Sequence, residues 1–517
     1  MKPFGIVLSF ILLFGAGAYA QLAQGSGGSA SVPQATMLPS SGRNNQGGSV
    51  GVTQQPVPGT TTSVNTINTI VSVSGPYSGS AAKPTETFSG RLSLDQALHR
   101  GLAYNLGTVG LANTVRQTSA QVGAARSALL PNLNGAVSET LEQVNLAAMG
   151  FRFNFNFPGV SIPKVVGPFN YMDLQVSLSQ TVANLTAVDN YRAAKATARA
   201  GQYSLADARD LVVLAVGGAY LQTLAAEARL DAAQSQLATA NAVFQQSIQQ
   251  HEHGVLGRLN LDQSQVRALT QQQQIITLRN DLAKQKINLA RLVGLPPNAG
   301  YELSDHFEFS PAPVSDVETA VALAESRRAD LKSAQAQVEA AQKALAAARA
   351  QRLPSLGVTA DYEYIGATPS QASGAYTVAG TLNVPIWQGG RIEADIAQAK
   401  SVLAQRQAEL ADTRSQIEAQ VRQAYLDLEA AAGQVEVAQK NLQLAHETLE
   451  MARARMEAGV INTVEVVQAQ ETVSSANLDL INSIFAHNLA KLNLARATGD
   501  AAAQLPALLK PQPATRP

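Results

Sequence analysis

Cysteine is absent from all 517 residues. That excludes disulfide scaffolds, thiolate zinc sites, cysteine nucleophiles and the lipid-bearing cysteine of a bacterial lipoprotein. Aromatic residues are scarce at 5%, with a single tryptophan, and charged residues reach only 15%. This is thin material for the three or so separate globular cores that a chain of this length could hold. Neither sign of charge is in excess, because 38 basic and 38 acidic side chains cancel. The balance leaves no electrostatic footprint for nucleic acid, and none is expected as a partner. The sequence also lacks a P-loop, a nucleophile elbow, a dinucleotide fingerprint and an HExxH pattern. It therefore reads as a non-enzyme with no catalytic residues, no cofactor and no metal site. His251, Glu252 and His253 come nearest to a ligand cluster, but helix neighbours at i and i+2 do not share a face.

Long hydrophobic runs are missing too. Lys2 precedes an apolar run from Phe4 to Phe14 and then Ala18-Tyr19-Ala20, the small-x-small pattern of a signal-peptidase site, so residues 1–20 are read as an export signal. The apolar core is shorter than the ~18 residues a membrane span needs, and no later stretch is expected to cross a bilayer as a helix. Membrane insertion would then have to be as a β-barrel. Residues 21–88 are rich in Gly, Ser, Thr, Gln, Asn and Pro, a composition expected to leave a disordered leader.

What is present is a duplication. Ala219-Tyr220-Leu221 recurs as Ala424-Tyr425-Leu426, Gly254-Val255 as Gly459-Val460, and Asn288 to Arg291 as Asn493 to Arg496, all at an offset of 205. Upstream, Leu130-Pro131 answers Leu353-Pro354 at an offset of 223, so repeat one carries an insertion, placed at the Phe-rich stretch near Phe151. The expected organisation is a first repeat over 89–295, a linker over 296–313, a second repeat over 314–500 and a flexible tail over 501–517.

Within each repeat a seven-residue period dominates. Leu428, Val435, Leu442, Leu449 and Met456 alternate with Ala431, Ala438, Ala445 and Ala452 as coiled-coil seam layers, and Leu230, Leu237 and Phe244 with Ala226, Ala233 and Ala240 copy them. The returning arm has Val466, Val473, Leu480 and Leu494. His487 falls on the seam as a tolerated polar layer. Helices from about Val188 to Glu252 and Ile392 to Ala458 contain no proline and would each be on the order of 95 Å long. Each meets a glycine-containing break and returns, giving two antiparallel helical hairpins.

Four strands complete the pattern. Met172, Leu174, Val176 and Leu178 alternate with Asp173, Gln175, Ser177 and Ser179, and Tyr376, Val378, Leu382, Val384 and Ile386 with Thr377, Thr381 and Asn383. Weaker partners begin at Leu133 and Val137 and at Leu356 to Tyr364. Phe151, Phe153, Phe155 and Phe157 would extend the first hairpin with an aromatic edge. A transmembrane barrel needs at least about eight strands, so these four belong either to a soluble sheet or to a barrel shared by several protomers.

At this point the chain resembles the TolC family of outer-membrane efflux proteins, over about Leu92 to Gly499. The carriers are Leu94-Asp95-Gln96-Ala97-Leu98, the Leu-Pro before the first strand of each repeat, and Val384-Pro385-Ile386-Trp387-Gln388-Gly389-Gly390-Arg391. Repeat one departs at Gln180-Thr181-Val182-Ala183-Asn184, which lacks the proline and the paired glycines. The resemblance implies a mainly α fold with a small β part. A homotrimer would form a twelve-stranded outer-membrane β-barrel, four strands per protomer, continued by a periplasmic α-helical coiled-coil barrel. It implies a passive gated exit duct of a tripartite efflux pump or type I secretion system. Its partners would be outer-membrane lipid, a periplasmic adaptor (membrane fusion) protein and, indirectly, an inner-membrane pump. Adaptor docking would fall on Gly254, Val255, Leu256, Gly459, Val460 and Thr463, although Arg258 stands where repeat two has Thr463. A pore constriction would be formed by Glu465 and Gln468 with Asn260 and Gln263. The competing expectation is an exported coiled-coil structural or adaptor protein that forms no pore.

Overall fold

In the computed structural model the described residues are 48–57, 66–81, 90–150, 163–254, 256–305, 308–311, 316–458, 463–499 and 501. The described residues open with an antiparallel hairpin, β1 (Val50–Val57) and β2 (Thr66–Val73), and a short 3-10 turn at Gly75–Ser78. β3 (Gly90–Leu92), α1 (Leu94–Tyr104), α2 (Leu106–Ser127), β4 (Asn132–Asn145), β5 (Val165–Ala183), α3 (Leu185–Glu252) and α4 (Arg258–Val293) follow. After β6 (Tyr301–Leu303) the order repeats as α5 (Val317–Arg327), α6 (Ala329–Ala350), β7 (Ser355–Gly366), β8 (Ser373–Asn383), α7 (Arg391–Glu457) and α8 (Thr463–Ala497).

Local chemistry sets the element ends. Ser93 and Gln96 form a reciprocal capping box that starts α1, with Ala97 and Leu98 buried behind it. Gly389 and Gly390 both hold left-handed φ values, 62° and 81°, in the turn that feeds α7, a conformation that costs glycine little. Repeat one solves the same turn differently, with the Asn184 side chain accepting a hydrogen bond from the Ala187 amide at the head of α3. β8 stops at Asn383, earlier than the alternation through Ile386 suggests. Its partner β7 begins at Ser355, paired with Asn383, and Pro385 has no N–H to extend the ladder.

The two hairpins merge into one antiparallel sheet in the order β4-β5-β7-β8. Below it α3 packs on α4, α6 and α8, and α7 packs on α8 and α6. The seam layers are closed: Leu428, Ala431, Val435, Ala438, Ala445 and Leu449 are buried in α7, and Val466, Ala469, Val473 and Ala476 in α8.

Three expectations change. The segment 21–88 is not a disordered leader throughout, because β1 and β2 fold onto the core. Val50, Val52, Val71 and Val73 alternate along the hairpin and pack on the cluster around α3, and Tyr77 is buried beside it. Their short apolar alternation sits within a Ser- and Thr-rich stretch that conceals it. The inter-repeat segment 296–313 is likewise more than a linker, since β6 pairs in parallel with β3 and Tyr301 is buried. Finally, α3 does contain a stretch long and apolar enough to cross a membrane, but 72% of that window is buried inside the protein. It is core. Residues 1–20, the aromatic run Phe151 to Phe157 and residues 502–517 lie outside the described residues, while Ala501 is buried.

Candidate functional site: the sheet and the hairpin tips

Register sorts the sheet into two chemically distinct faces, because residues paired across antiparallel strands share a side. One face carries the rows Leu133, Leu178, Ala360, Val378 and Gly135, Val176, Tyr362, Tyr376 and Val137, Leu174, Tyr364, Gly374. Most of these large apolar side chains are exposed in the single chain, among them Leu133, Val137, Leu174, Tyr376 and Val378. The opposite face carries Asn134, Ser177, Asp361, Thr377 and Ala136, Gln175, Glu363, Ala375. There the Gln175 amide donates to Glu363 at 3.3 Å. Along β5 the apolar alternation Met172, Leu174, Val176, Leu178 covers six residue steps, about 20 Å of strand, before Gln180 interrupts it. Each outer strand of the sheet, β4 on one side and β8 on the other, has an unpaired edge among the described residues.

The first tip is a tight, braced turn. α3 ends at Glu252, Gly254 takes a left-handed φ of 74°, and the His251 ring nitrogen Nδ1 lies 2.7 Å from the Leu256 carbonyl oxygen. The Leu256 amide also donates to Gln250 O. His251 thus closes the turn. Gly257 caps α4, where Asn260 is half-buried and Gln263, one turn on, is exposed. At the second tip Thr463 begins α8, and Glu465 and Gln468, one turn apart, are exposed. Arg455 near the end of α7 reaches Glu465 at 3.9 Å. Val255, Gly459 and Val460 lie outside the described residues.

Sequence reading missed two contacts near the tips. One is Arg455–Glu465 itself. The other is Arg267 on α4, which donates to Glu471 on α8 at 3.1 Å and ties the two returning helices together a heptad past Asn260. Burial lowers the Arg267 pKa while Glu471 acts against it. Residue 267 and residue 471 stand one short of the 205 offset, so a search for opposite charges at near-equivalent positions would have found the pair.

With this geometry in view, comparison with known proteins is decisive. The sequence matches the outer membrane efflux protein family over residues 111–295 and 320–500. The chain belongs to that family. This outer membrane efflux protein is 26% identical over 318 residues to the pyoverdine export outer membrane protein OpmQ of Pseudomonas aeruginosa, covering 59% of this chain and 64% of that one. It is 30% identical over 185 residues to OpmQ of Pseudomonas putida, covering 35% and 38%. The chain thus spans less than two thirds of the length of either relative. Among solved structures, the outer membrane protein VceC of Vibrio cholerae superposes with a TM-score of 0.67 at 19% identity, over 78% of this chain and 96% of that one. The CmeC outer membrane channel of Campylobacter jejuni gives 0.67 at 19% identity over 82% and 90%. The MtrE outer membrane channel of Neisseria gonorrhoeae gives 0.64 at 16% over 88% and 96%. The fold of this outer membrane efflux protein is therefore the channel fold: strands for an outer-membrane barrel, and long hairpins for a periplasmic helical tunnel.

Proposed function

We propose that three copies of this chain close one twelve-stranded barrel in the outer membrane and continue it as a helical tunnel into the periplasm, serving as the passive exit duct of a tripartite pump. One observation carries the reading: every outer element of the chain is unfinished in a complementary way. β4 and β8 leave open edges at opposite sides of the sheet. Below them α4 exposes Leu259, Val266, Leu269 and Ile276, spaced seven, three and seven, and α7 exposes Val437, Leu444 and Met451 in steps of seven. A stripe on one side that fits a different stripe on the other is a head-to-tail interface, and repetition of such an interface closes rings. Four strands cannot close alone, and three sets bring the count above the ~8 strands of the smallest barrels.

In the ring the polar sheet face lines the lumen and the apolar face meets lipid. Periplasmic adaptors dock at the hairpin tips, on Gly254, Val255 and Leu256 of repeat one and Gly459, Val460 and Thr463 of repeat two. Just inside, Glu465, Gln468, Asn260 and Gln263 line the constriction, with Arg455–Glu465 and Arg267–Glu471 bracing it. Energy comes from an inner-membrane pump reached through the adaptor. Two relatives are named for pyoverdine export, which favours a small exported molecule here over a secreted protein. The test is the native mass of the mature protein, extracted in mild detergent from the outer-membrane fraction. A trimer is expected. A monomer, or release without detergent, overturns the duct and leaves the non-pore coiled-coil reading.

A further inference from the structure

Where the sheet passes into the helices, the surface changes character in a way the duct itself does not require. The only tryptophan, Trp387, and its neighbour Ile386 are 85% and 94% exposed in the turn between β8 and α7. At the same end of the sheet Leu130 and Leu353, the residues before the Leu-Pro prolines of the two repeats, are also exposed. One helical turn further from the sheet stand Arg126 and Arg349, in the last turns of α2 and α6. They occupy equivalent positions of the duplication, at the same offset of 223 as the Leu-Pro pairs. Both are exposed, and among the described residues neither has a carboxylate partner. The acids at this level are already engaged: Glu393 by Arg352, and Asp395 by Arg391 at 3.6 Å.

We infer that this junction is a collar for phospholipid headgroups of the inner leaflet, with Trp387 and Ile386 set at the acyl boundary and Arg126 and Arg349 on lipid phosphates. The inference rests on the barrel reading above and adds a ligand class to it. Three observations select lipid over other occupants. The collar adjoins the end of the sheet's apolar face, whose last paired row is Leu382 and Leu356, one row beyond Gln180 and Val358. The order along the axis, from aliphatic strand to tryptophan and leucine to arginine, is that of a membrane interface. The unpaired charge is positive, as phosphate requires. In a trimer the duplication places six such arginines around the barrel foot.

A single tryptophan makes the test direct. The mature protein is reconstituted in phospholipid vesicles, and flotation and ion conductance report whether the barrel has inserted. Trp387 emission is then compared in unlabelled vesicles and in vesicles of phosphatidylcholine brominated at shallow or deep acyl carbons. Expected is loss of about half the emission or more with shallow bromines and much less with deep ones, because tryptophan favours the headgroup boundary. Protein that floats and conducts but is not quenched places Trp387 between protomers or in water, and overturns the collar while the barrel stands. Protein that neither floats nor conducts overturns the barrel, and the collar with it. A second arm uses the double variant Arg126→Gln, Arg349→Gln. Its preference for spin-labelled phosphatidylglycerol over phosphatidylcholine at the protein boundary should fall by about fivefold per arginine lost, with native mass and Trp387 quenching unchanged. An unaltered preference removes the phosphate contacts from the proposal.

Discussion

The two long helices are the same helix twice, and they live in different surroundings. At the centre of α7, Ile417, Val421, Ala424, Leu428 and Ala431 are buried, one stripe facing the neighbouring helices. At the matching positions of α3, offset by 205, Val212, Val216 and Ala226 are buried as well, but so are Val213, Leu214, Ala215, Leu221, Leu224 and Ala225. Their counterparts in α7 are Glu418, Ala419, Gln420, Leu426, Glu429 and Ala430. What differs is the further covering: α5 and α6 pack on α7 as α1 and α2 pack on α3, but α3 also receives the β1–β2 hairpin and the returning helix α8 of the other repeat. Even glycine follows the rule. A Cβ on Gly218 would stand 2.6 Å from Val71 of the hairpin, whereas its counterpart is the exposed Gln423. One helical template thus serves as a core rod in one repeat and as an outer stave in the other, and the side chains record which.

Exchanging the two residues at one such position breaks the comparison most sharply. Val213→Glu places an unpaired carboxylate in the core of α3 and should cost about 3–5 kcal/mol, read as a lower midpoint for loss of helical circular dichroism in denaturant. The reverse change, Glu418→Val, gives up only an exposed pair with Arg422 and should shift the midpoint by less than about 0.5 kcal/mol. Equal effects from the two variants would mean that α3 and α7 are covered alike.

The same contrast explains what could be read in advance. The heptad seams, both hairpins and all four barrel strands were legible because helix and strand burial each impose a period, and Leu428 to Met456 or Met172 to Leu178 repeat it long enough to be distinguished from chance. The covering on α3 was not. Val50, Val52, Val71 and Val73 supply too few apolar positions to stand out among Ser and Thr, and they fold because a finished apolar wall on α3 receives them. At the tips the break at Gly254 was legible from the duplication, whereas Glu465 was singled out only by the family resemblance and its role stays a proposal. Arg455, Arg267 and Glu471 were not, since an ion pair between helices depends on how the hairpins lie side by side, which no period encodes.

A middle-sized effect separates the returning helices. Leu282 of α4 is an ordinary seam residue, while its counterpart in α8, His487, is 1% exposed, lies 4.8 Å from the Phe309 ring of the inter-repeat segment at a tilt of 56°, and among the described residues has no hydrogen-bond partner on either ring nitrogen. Burial, reinforced by the charge of Lys491, pushes the imidazole pKa from 6.5 down to about 4. Between those values the unfolded chain binds a proton that the folded chain refuses, so stability falls as the pH drops through this window and levels off below it. His487→Leu, which copies repeat one, should remove that slope. At pH 5 the variant should be more stable than the parent by about 1–2 kcal/mol, with little difference at pH 8, measured as unfolding midpoints at the two values. A slope that survives the substitution would have to come from another group.

The smallest effect on stability is expected at the tips, where of the four candidate constriction positions only Glu465 is a carboxylate. Repeat one has Asn260 where repeat two has Glu465, and the Arg455–Glu465 contact is long, 3.9 Å, with both side chains more than half or about half exposed. Such a pair contributes at most about 1 kcal/mol, so Glu465→Asn should leave the unfolding midpoint almost unmoved. The consequence for conduction is of another kind. In a three-fold ring the substitution removes all three carboxylates at this level and leaves Arg455 uncompensated, reversing the local charge from near neutral to positive, and charge at a constriction acts on every ion that passes. Bilayer recordings under a salt gradient should therefore show a reversal potential shifted toward anions in the variant. If it is unchanged, Glu465 lies off the pore axis, and the tips of the two repeats are equivalent for ions even though they are not for sequence.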